Sequence, residues 1–267
     1  MNIVLLLNND IASNLALNLL LPALAPHKFN VFLSSKVGDN STRPQALQDL
    51  AKFEQHDIYR ALEQLPKSTS QSLMFKSYTE IAQRYGIKIE TLNQINAEQG
   101  IEKIQALSAD LIISIRFGII LKKPIIALSK YGVINLHSGK LPDYRGVMAT
   151  FWALLSGDTQ LSTSLHFIDD SSIDTGRIIG RSRLTVQPDK SYLWHVLSLY
   201  VGGSQLIERT INILVNGDKV ITTNQASTGE YYTFPSAETI TEFTTRFGPL
   251  YQANDVVHLL TSLKQRV

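Results

Sequence analysis

Asn135 and His137 stand two residues apart at the end of a short apolar run, Tyr131–Leu136 (YGVINL). On an extended chain such residues point to the same side. A strand here therefore presents an amide donor beside a titratable imidazole. At the carboxyl end of a parallel strand, where open sheets bind ligands, that pair suits acyl transfer. One member steadies an oxyanion and the other moves a proton. The same spacing also fits a turn with a hydrogen-bonded asparagine and a solvent-facing histidine. A carboxylate able to orient the histidine is offered by HFIDDSSIDTG, in a loop between two predicted strands. Asp169, Asp170 and Asp174 lie close together there, and spacing does not choose among them.

Other chemistries find less support. With no cysteine, disulfides, Cys-ligated zinc and thiol nucleophiles are excluded. No two of His27, His56, His137, His166, His195 and His258 stand at HxxxH or HxH spacing, so no metal site is expected. The turn after the first strand reads Asn8-Asn9-Asp10 and is not a glycine-rich fingerprint. No GxxxxGK[ST] loop and no GxSxG elbow occurs.

The elements that must position Asn135 and His137 alternate in type. Ile3–Leu7 reads as a buried parallel strand, Ile11–Leu24 as a helix and Asn30–Ser35 as a second strand, which is a βαβ opening. Residues 37–49 read as a polar loop containing the sequon-like Asn40-Ser41-Thr42. A helical pattern follows over Ala46–Leu65 and another over Tyr78–Tyr85. Strands are expected at Lys88–Leu92, Asp110–Ile115, Tyr131–Leu136, Ser162–Ile168 and Arg177–Leu184. Helices are expected at Gln99–Leu107, Val147–Leu155 and Tyr192–Val215. Lys219–Thr223 and Glu230–Phe234 read as two strands of a hairpin, with a short helix after Ser236 as its N-cap. This is an α/β chain with a mostly parallel sheet. It divides into a catalytic region at 1–216, with a helical insertion at about 37–86, and a short C-terminal extension at 217–267.

The composition agrees with a packed α/β chain of 267 residues, 44% hydrophobic and 18% charged. A net charge of +2 without a basic run argues against nucleic acid as partner. Neither Ile3–Leu7 nor Leu15–Ala25 approaches the roughly 20 apolar residues of a membrane span, and no secretory signal is visible. No membrane association is expected, and the expected compartment is the cytoplasm.

Three motifs occur in order: N-x-H at Asn135–His137, L-P-x-Y-R-G at Leu141–Gly146, and D-T-G at Asp174–Gly176. Together they resemble the folate-dependent formyltransferase family over roughly residues 75–185. The resemblance implies a Rossmann-like formyltransferase domain with N10-formyltetrahydrofolate as donor, and a catalytic trio of Asn135, His137 and Asp174. It places the donor against Arg116, Phe117, Gly118, Ile119 and Ile120, and against Ile168, Asp169 and Asp170. The acceptor is a small-molecule amine, and Tyr144, Arg145 and Trp152 are candidates to line its side.

Within that family, glycinamide ribonucleotide enzymes carry a Gly/Ser-rich phosphate loop where this chain has Asn8–Ser13. Methionyl-tRNA enzymes usually carry a C-terminal β-barrel and a basic surface, which residues 217–267 do not match. The pattern is most similar to the sugar-nucleotide N-formyltransferases, so an amino-sugar nucleotide is the expected acceptor, with a non-sugar amine as alternative. A homodimer through the C-terminal hairpin is a further expectation. The insertion between the second and third strands departs from the family core and is placed to cover or reshape the acceptor pocket.

Overall fold

The computed structural model describes residues 1–35, 43–66, 73–226 and 229–263. Its main sheet has seven strands in the order β3-β2-β1-β4-β5-β7-β8. These are β1 (Asn2–Asn8), β2 (Lys28–Ser34), β3 (Ile89–Thr91), β4 (Leu111–Ile115), β5 (Val133–His137), β7 (Gln160–Phe167) and β8 (Ile178–Thr185). The first five run parallel; β7 and β8 are antiparallel. Helices cover both faces, which is why β1 (NIVLLLN) is an unbroken apolar run. Its side chains alternate between two cores. Ile3, Leu5 and Leu7 join one with α1 (Ile11–Leu24), while Val4 and Leu6 join the other with Phe32, Ile112 and Val133.

The order reverses at β1, with β2 on one side and β4 on the other, which opens a crevice at the carboxyl ends of these strands. On the far side β7 lies antiparallel to β5, in a register that pairs Asn135 with His166.

Between β2 and β3 the expected helix Ala46–Leu65 is a broken rod. It runs as α2 (Gln45–Lys52), a π-turn (Phe53–Asp57) and α3 (Ile58–Glu63), followed by α4 (Tyr78–Tyr85). The π-turn shifts the phase of the rod at Glu54, a break that periodicity cannot show. Two asparagines of α1 anchor this insertion. Asn14 donates to the Tyr59 hydroxyl at 3.1 Å, and Asn18 exchanges hydrogen bonds with the Lys76 backbone at 2.8 and 2.7 Å. The sequon-like Asn40-Ser41-Thr42 lies outside the described residues.

After β3 come α5 (Glu98–Gln105), α6 (Lys123–Ile126), β6 (Tyr144–Gly146), α7 (Ala149–Leu155) and the long α8 (Tyr192–Val215). The expected C-terminal hairpin does not form. Lys219–Thr223 makes only a bridge from Thr223 to Ile178, and β9 (Glu230–Tyr232) pairs in parallel with β6. Gly146, at φ 95°, lets the Tyr232 carbonyl approach where a Cβ would collide. Tyr232 also stacks on Trp152 at 5.0 Å. The loop strand β6 thus outcompetes a local partner. Instead of one short helix, two follow, α9 (Ala237–Phe247) and α10 (Ala253–Ser262), with Ser236 capping the first. Both pack into the main core: Phe243 of the first stacks on Phe151 at 4.3 Å, Val256 and Leu260 of the second are buried, and Tyr251 between them stacks on Phe53 at 4.4 Å. Among the described residues, no helix is long and apolar enough to cross a membrane.

Candidate active site

Asn135 and His137 close β5, and Asp174 follows in the loop between β7 and β8. The two elements meet because β7 pairs with β5 and the chain then doubles back at Gly176, where any Cβ would strike the Phe167 carbonyl. Asp174 itself has φ 57°, a left-handed conformation that aspartate tolerates better than most residues.

This geometry joins four side chains. Asp174 Oδ2 lies 3.5 Å from His137 Nδ1 and accepts from the Gly146 amide at 2.9 Å, while its Oδ1 lies 3.4 Å from His166 Nε2. Asn135 Nδ2 is 3.1 Å from the same His166 nitrogen. Backbone carbonyls set the tautomers, since a carbonyl can only accept. His137 Nε2 donates to the Tyr144 carbonyl at 2.7 Å, and His166 Nδ1 donates to the Phe167 carbonyl at 2.8 Å. His166 Nε2 lies between Asn135 Nδ2 and Asp174 Oδ1, accepting from the amide when the ring is neutral and donating to the carboxylate when it is charged. The asparagine amide carries two hydrogens, so one remains for a ligand. Burial by itself would raise the Asp174 pKa. The charges of His137 and His166 and the Gly146 amide outweigh it and pull the carboxyl down to about 2.

These residues open on a cavity of about 320 Å³. Among the described residues, four other than glycine have φ between 48° and 57°: Ser108, Arg116, Met148 and Asp174. All but Ser108 line the cavity, and clustered backbone strain of this kind marks functional sites. One wall is the chain after β4. Arg116, Phe117, Gly118, Ile119 and Ile120 all line it, opposite Ile168 and Asp170. Asp169 does not; its carboxylate is held outside by Arg177 at 2.8 Å.

Tyr144, Arg145 and Trp152 are also absent from the wall. Tyr144 packs on Tyr232, Arg145 donates to the Gly229 carbonyl, and Trp152 Nε1 donates to the Thr233 carbonyl at 3.2 Å. They fasten the C-terminal extension to α7 and β6. Nearness to a motif in sequence said nothing about the direction in which they point.

The opposite wall carries residues that sequence reasoning did not single out. Leu47, Leu50 and Glu54 come from the insertion, Asp10 from the turn after β1, Tyr192 and Tyr200 from α8, and Tyr231 and Phe234 from the extension. Asp10 caps α1, with Oδ1 accepting from the Ser13 amide at 2.7 Å; the Asp-x-x-Ser spacing was a readable sign of that cap. Arg116 bridges Asp10 at 2.8 Å and Glu54 at 3.0 Å. Burial drives the Glu54 carboxyl up to about 7, with Arg116 pulling against it and Asp10 adding to it. Burial likewise pushes the Tyr200 hydroxyl up to about 12. His166 left no sign in spacing, because its contact with Asn135 depends on the β5–β7 register.

The chain is similar to known proteins in sequence and in fold. Methionyl-tRNA formyltransferase of Agathobacter rectalis is 30% identical over 152 residues, 57% of this chain and 49% of that protein. The Clostridium tetani enzyme is 32% identical over 151 residues, 56% and 48% respectively. The chain spans about half the length of these curated relatives. Two solved structures share the fold. An N-formyltransferase from Helicobacter canadensis, in complex with folinic acid and dTDP-3-aminofucose, gives a TM-score of 0.55 at 16% identity, covering 92% of this chain and 80% of that one. Phosphoribosylglycinamide formyltransferase from Anaplasma phagocytophilum gives 0.55 at 15%, covering 87% and 99%. The family model described as formyl transferase matches residues 32–193, which include β5, the Asp174 loop and the wall after β4, and the chain belongs to that family.

Proposed function

We propose that the protein transfers the formyl group of N10-formyltetrahydrofolate to the primary amine of a small acceptor. The observation that carries this reading is the buried Asn135–His166–Asp174–His137 network, which leaves one Asn135 N–H for a ligand at the cavity. The apolar residues Ile119, Leu121 and Ile168 lining the cavity suit a flat pterin. Folinic acid bound to the Helicobacter canadensis protein of the same fold supports that donor.

In this mechanism the neutral amine attacks the formyl carbon, a C–N bond forms, and negative charge develops on the formyl oxygen. Asn135 donates its remaining N–H to that oxygen, and His166 and Asp174 hold the amide in place. The His137–Asp174 pair takes the proton the amine gives up and returns it to N10 as the old C–N bond breaks. The low Asp174 pKa keeps the carboxylate charged opposite His137 throughout.

The family resemblance names an amino-sugar nucleotide as acceptor. A non-sugar amine is the alternative acceptor. Turnover with N10-formyltetrahydrofolate and a panel of both classes, read by mass spectrometry as the gain of one CO, tests the reaction. His137→Ala should lower turnover on the order of 100-fold or more while circular dichroism stays native. Near-normal turnover in that variant, or no donor binding by the wild type, would refute the proposal.

A further inference from the structure

The turn that opens the cavity wall after β4 is braced by residues from other segments. Arg116 has φ 55°, a conformation that a long side chain keeps only where its surroundings impose it. Its guanidinium supplies the constraint. Nε donates to Asp10 Oδ2 at 2.8 Å, and a terminal nitrogen donates to Glu54 Oε1 at 3.0 Å. Two residues on, the Gly118 amide donates to Ser34 Oγ at 3.0 Å. Ser34 closes β2 beside its register partner Asn8. Its hydroxyl donates to Asn8 Oδ1 at 3.2 Å, sharing that hydrogen with the Leu7 carbonyl at 3.3 Å. Asn8 Nδ2 donates in turn to Asp10 Oδ2 at 2.8 Å. Residues 116–118 are thus linked at both ends to Asp10 Oδ2, once directly and once through Ser34 and Asn8.

Asp10, Asn8 and Ser34 are all buried. Burying a carboxylate costs free energy unless charge and hydrogen bonds compensate it. Arg116 provides the charge here, and the Ser13 amide and Asn8 provide further bonds. Apolar side chains of the same volume are often no less stable than a buried ion pair, so stability alone does not account for the network. What it fixes is the direction of the backbone. The turn sends Phe117, Gly118, Ile119 and Ile120 along the cavity. Asn96 holds the far end of this stretch, with Nδ2 donating to the Ile120 carbonyl at 2.9 Å. The guanidinium is committed to Asp10 and Glu54, so it acts on the wall through the backbone of residue 116.

Resting on the formyl-transfer reading, we infer that Arg116 is a positioning residue: gripped by Asp10 and Glu54, it holds residues 116–118 in the left-handed turn that shapes the donor wall, and its guanidinium does not bind the donor. The cap of α1 supports the donor site through Asp10, and the insertion does so through Glu54 on its π-turn. A carboxyl oxygen such as Glu54 Oε1 accepts from Arg116 whether or not the group is protonated. Asp10 is therefore the partner on which the turn depends.

The test uses the full chain and calorimetry with 5-formyltetrahydrofolate. Absence of binding to the wild type removes the formyl-transfer reading, and this inference with it, and is distinct from the failures that follow. An asparagine at position 10 that caps α1 through its one oxygen turns an N–H donor toward Arg116. Asp10→Asn should therefore raise the Kd for 5-formyltetrahydrofolate roughly 10-fold or more while circular dichroism stays native. A Kd within about two-fold of the wild type overturns the inference. Arg116→Gly and Arg116→Ala separate positioning from contact. Both lose the guanidinium, but glycine adopts φ 55° without steric cost. Arg116→Gly should bind 5-formyltetrahydrofolate at least about 5-fold more tightly than Arg116→Ala. Equal affinities would make the guanidinium a direct donor contact and overturn the inference. Added to Arg116→Gly, Asp10→Asn should change the Kd by less than about two-fold, because no guanidinium is left to grip. An undiminished loss there also overturns it. Either half of the test decides alone where a variant of the other fails to fold.

Discussion

Replacing Asp174 with asparagine keeps the side-chain shape and the acceptor oxygen for Gly146, and asparagine also tolerates φ 57°. What it removes is the charge that faces His137 and His166. The carboxyl sits at about 2 against an ordinary 3.8, and the side chain is 9% exposed, so solvent screens it little. At about 1.4 kcal/mol per pKa unit, the shift corresponds to native-state stability on the order of 2 kcal/mol. The folded pKa is depressed. The contribution is therefore fully present above about pH 4 and is lost as pH falls toward about 2. Urea unfolding of wild type and Asp174→Asn at pH 7 should differ by about 2–3 kcal/mol, or about 5–10 °C in Tm. The gap should narrow to about a third at pH 2.5, where the wild-type carboxyl is beginning to be protonated. In the same protein kcat should fall on the order of 100-fold, because His137 loses its counter-charge. Equal stabilities at pH 7, or a gap that does not change with pH, would refute the electrostatic account of this network.

Asn135→Ala should reduce kcat about 100- to 1000-fold with donor affinity in calorimetry held within a few-fold; a matching loss of donor affinity would make Asn135 a binding residue instead. Phe243→Ala removes a ring 1% exposed and stacked on Phe151. It should cost about 3–5 kcal/mol in denaturant unfolding, and a loss under about 1 kcal/mol would show that residues 237–262 lie outside the cooperative core.

The central parallel strands β1 and β4 were legible because they are buried on both faces. NIVLLLN and LIISI leave no polar periodicity to confuse, and the 24-residue helix Tyr192–Val215 announces itself by length and by its serine cap. The C-terminal strands misled for the opposite reason. Short exposed strands take whichever edge is open, and β6 offered a better one than the neighbouring segment.

Residue type and order alone determined that Asn135 and His137 share the end of one strand, since side chains alternate with a period of two whatever the rest of the chain does. The three ordered motifs likewise pointed to the family before any coordinates. Which acid serves His137 was a tertiary matter. Asp169, Asp170 and Asp174 are near neighbours in sequence, yet one binds Arg177, one faces the cavity from its rim, and only Asp174 is turned inward by its left-handed backbone. His166 enters through a β5–β7 register that no local pattern encodes. Glu54 enters through a π-turn and a long-range contact with Arg116. Local periodicity specifies faces of elements. The meeting of charges from three segments depends on how the elements pack, and only the folded chain decides it.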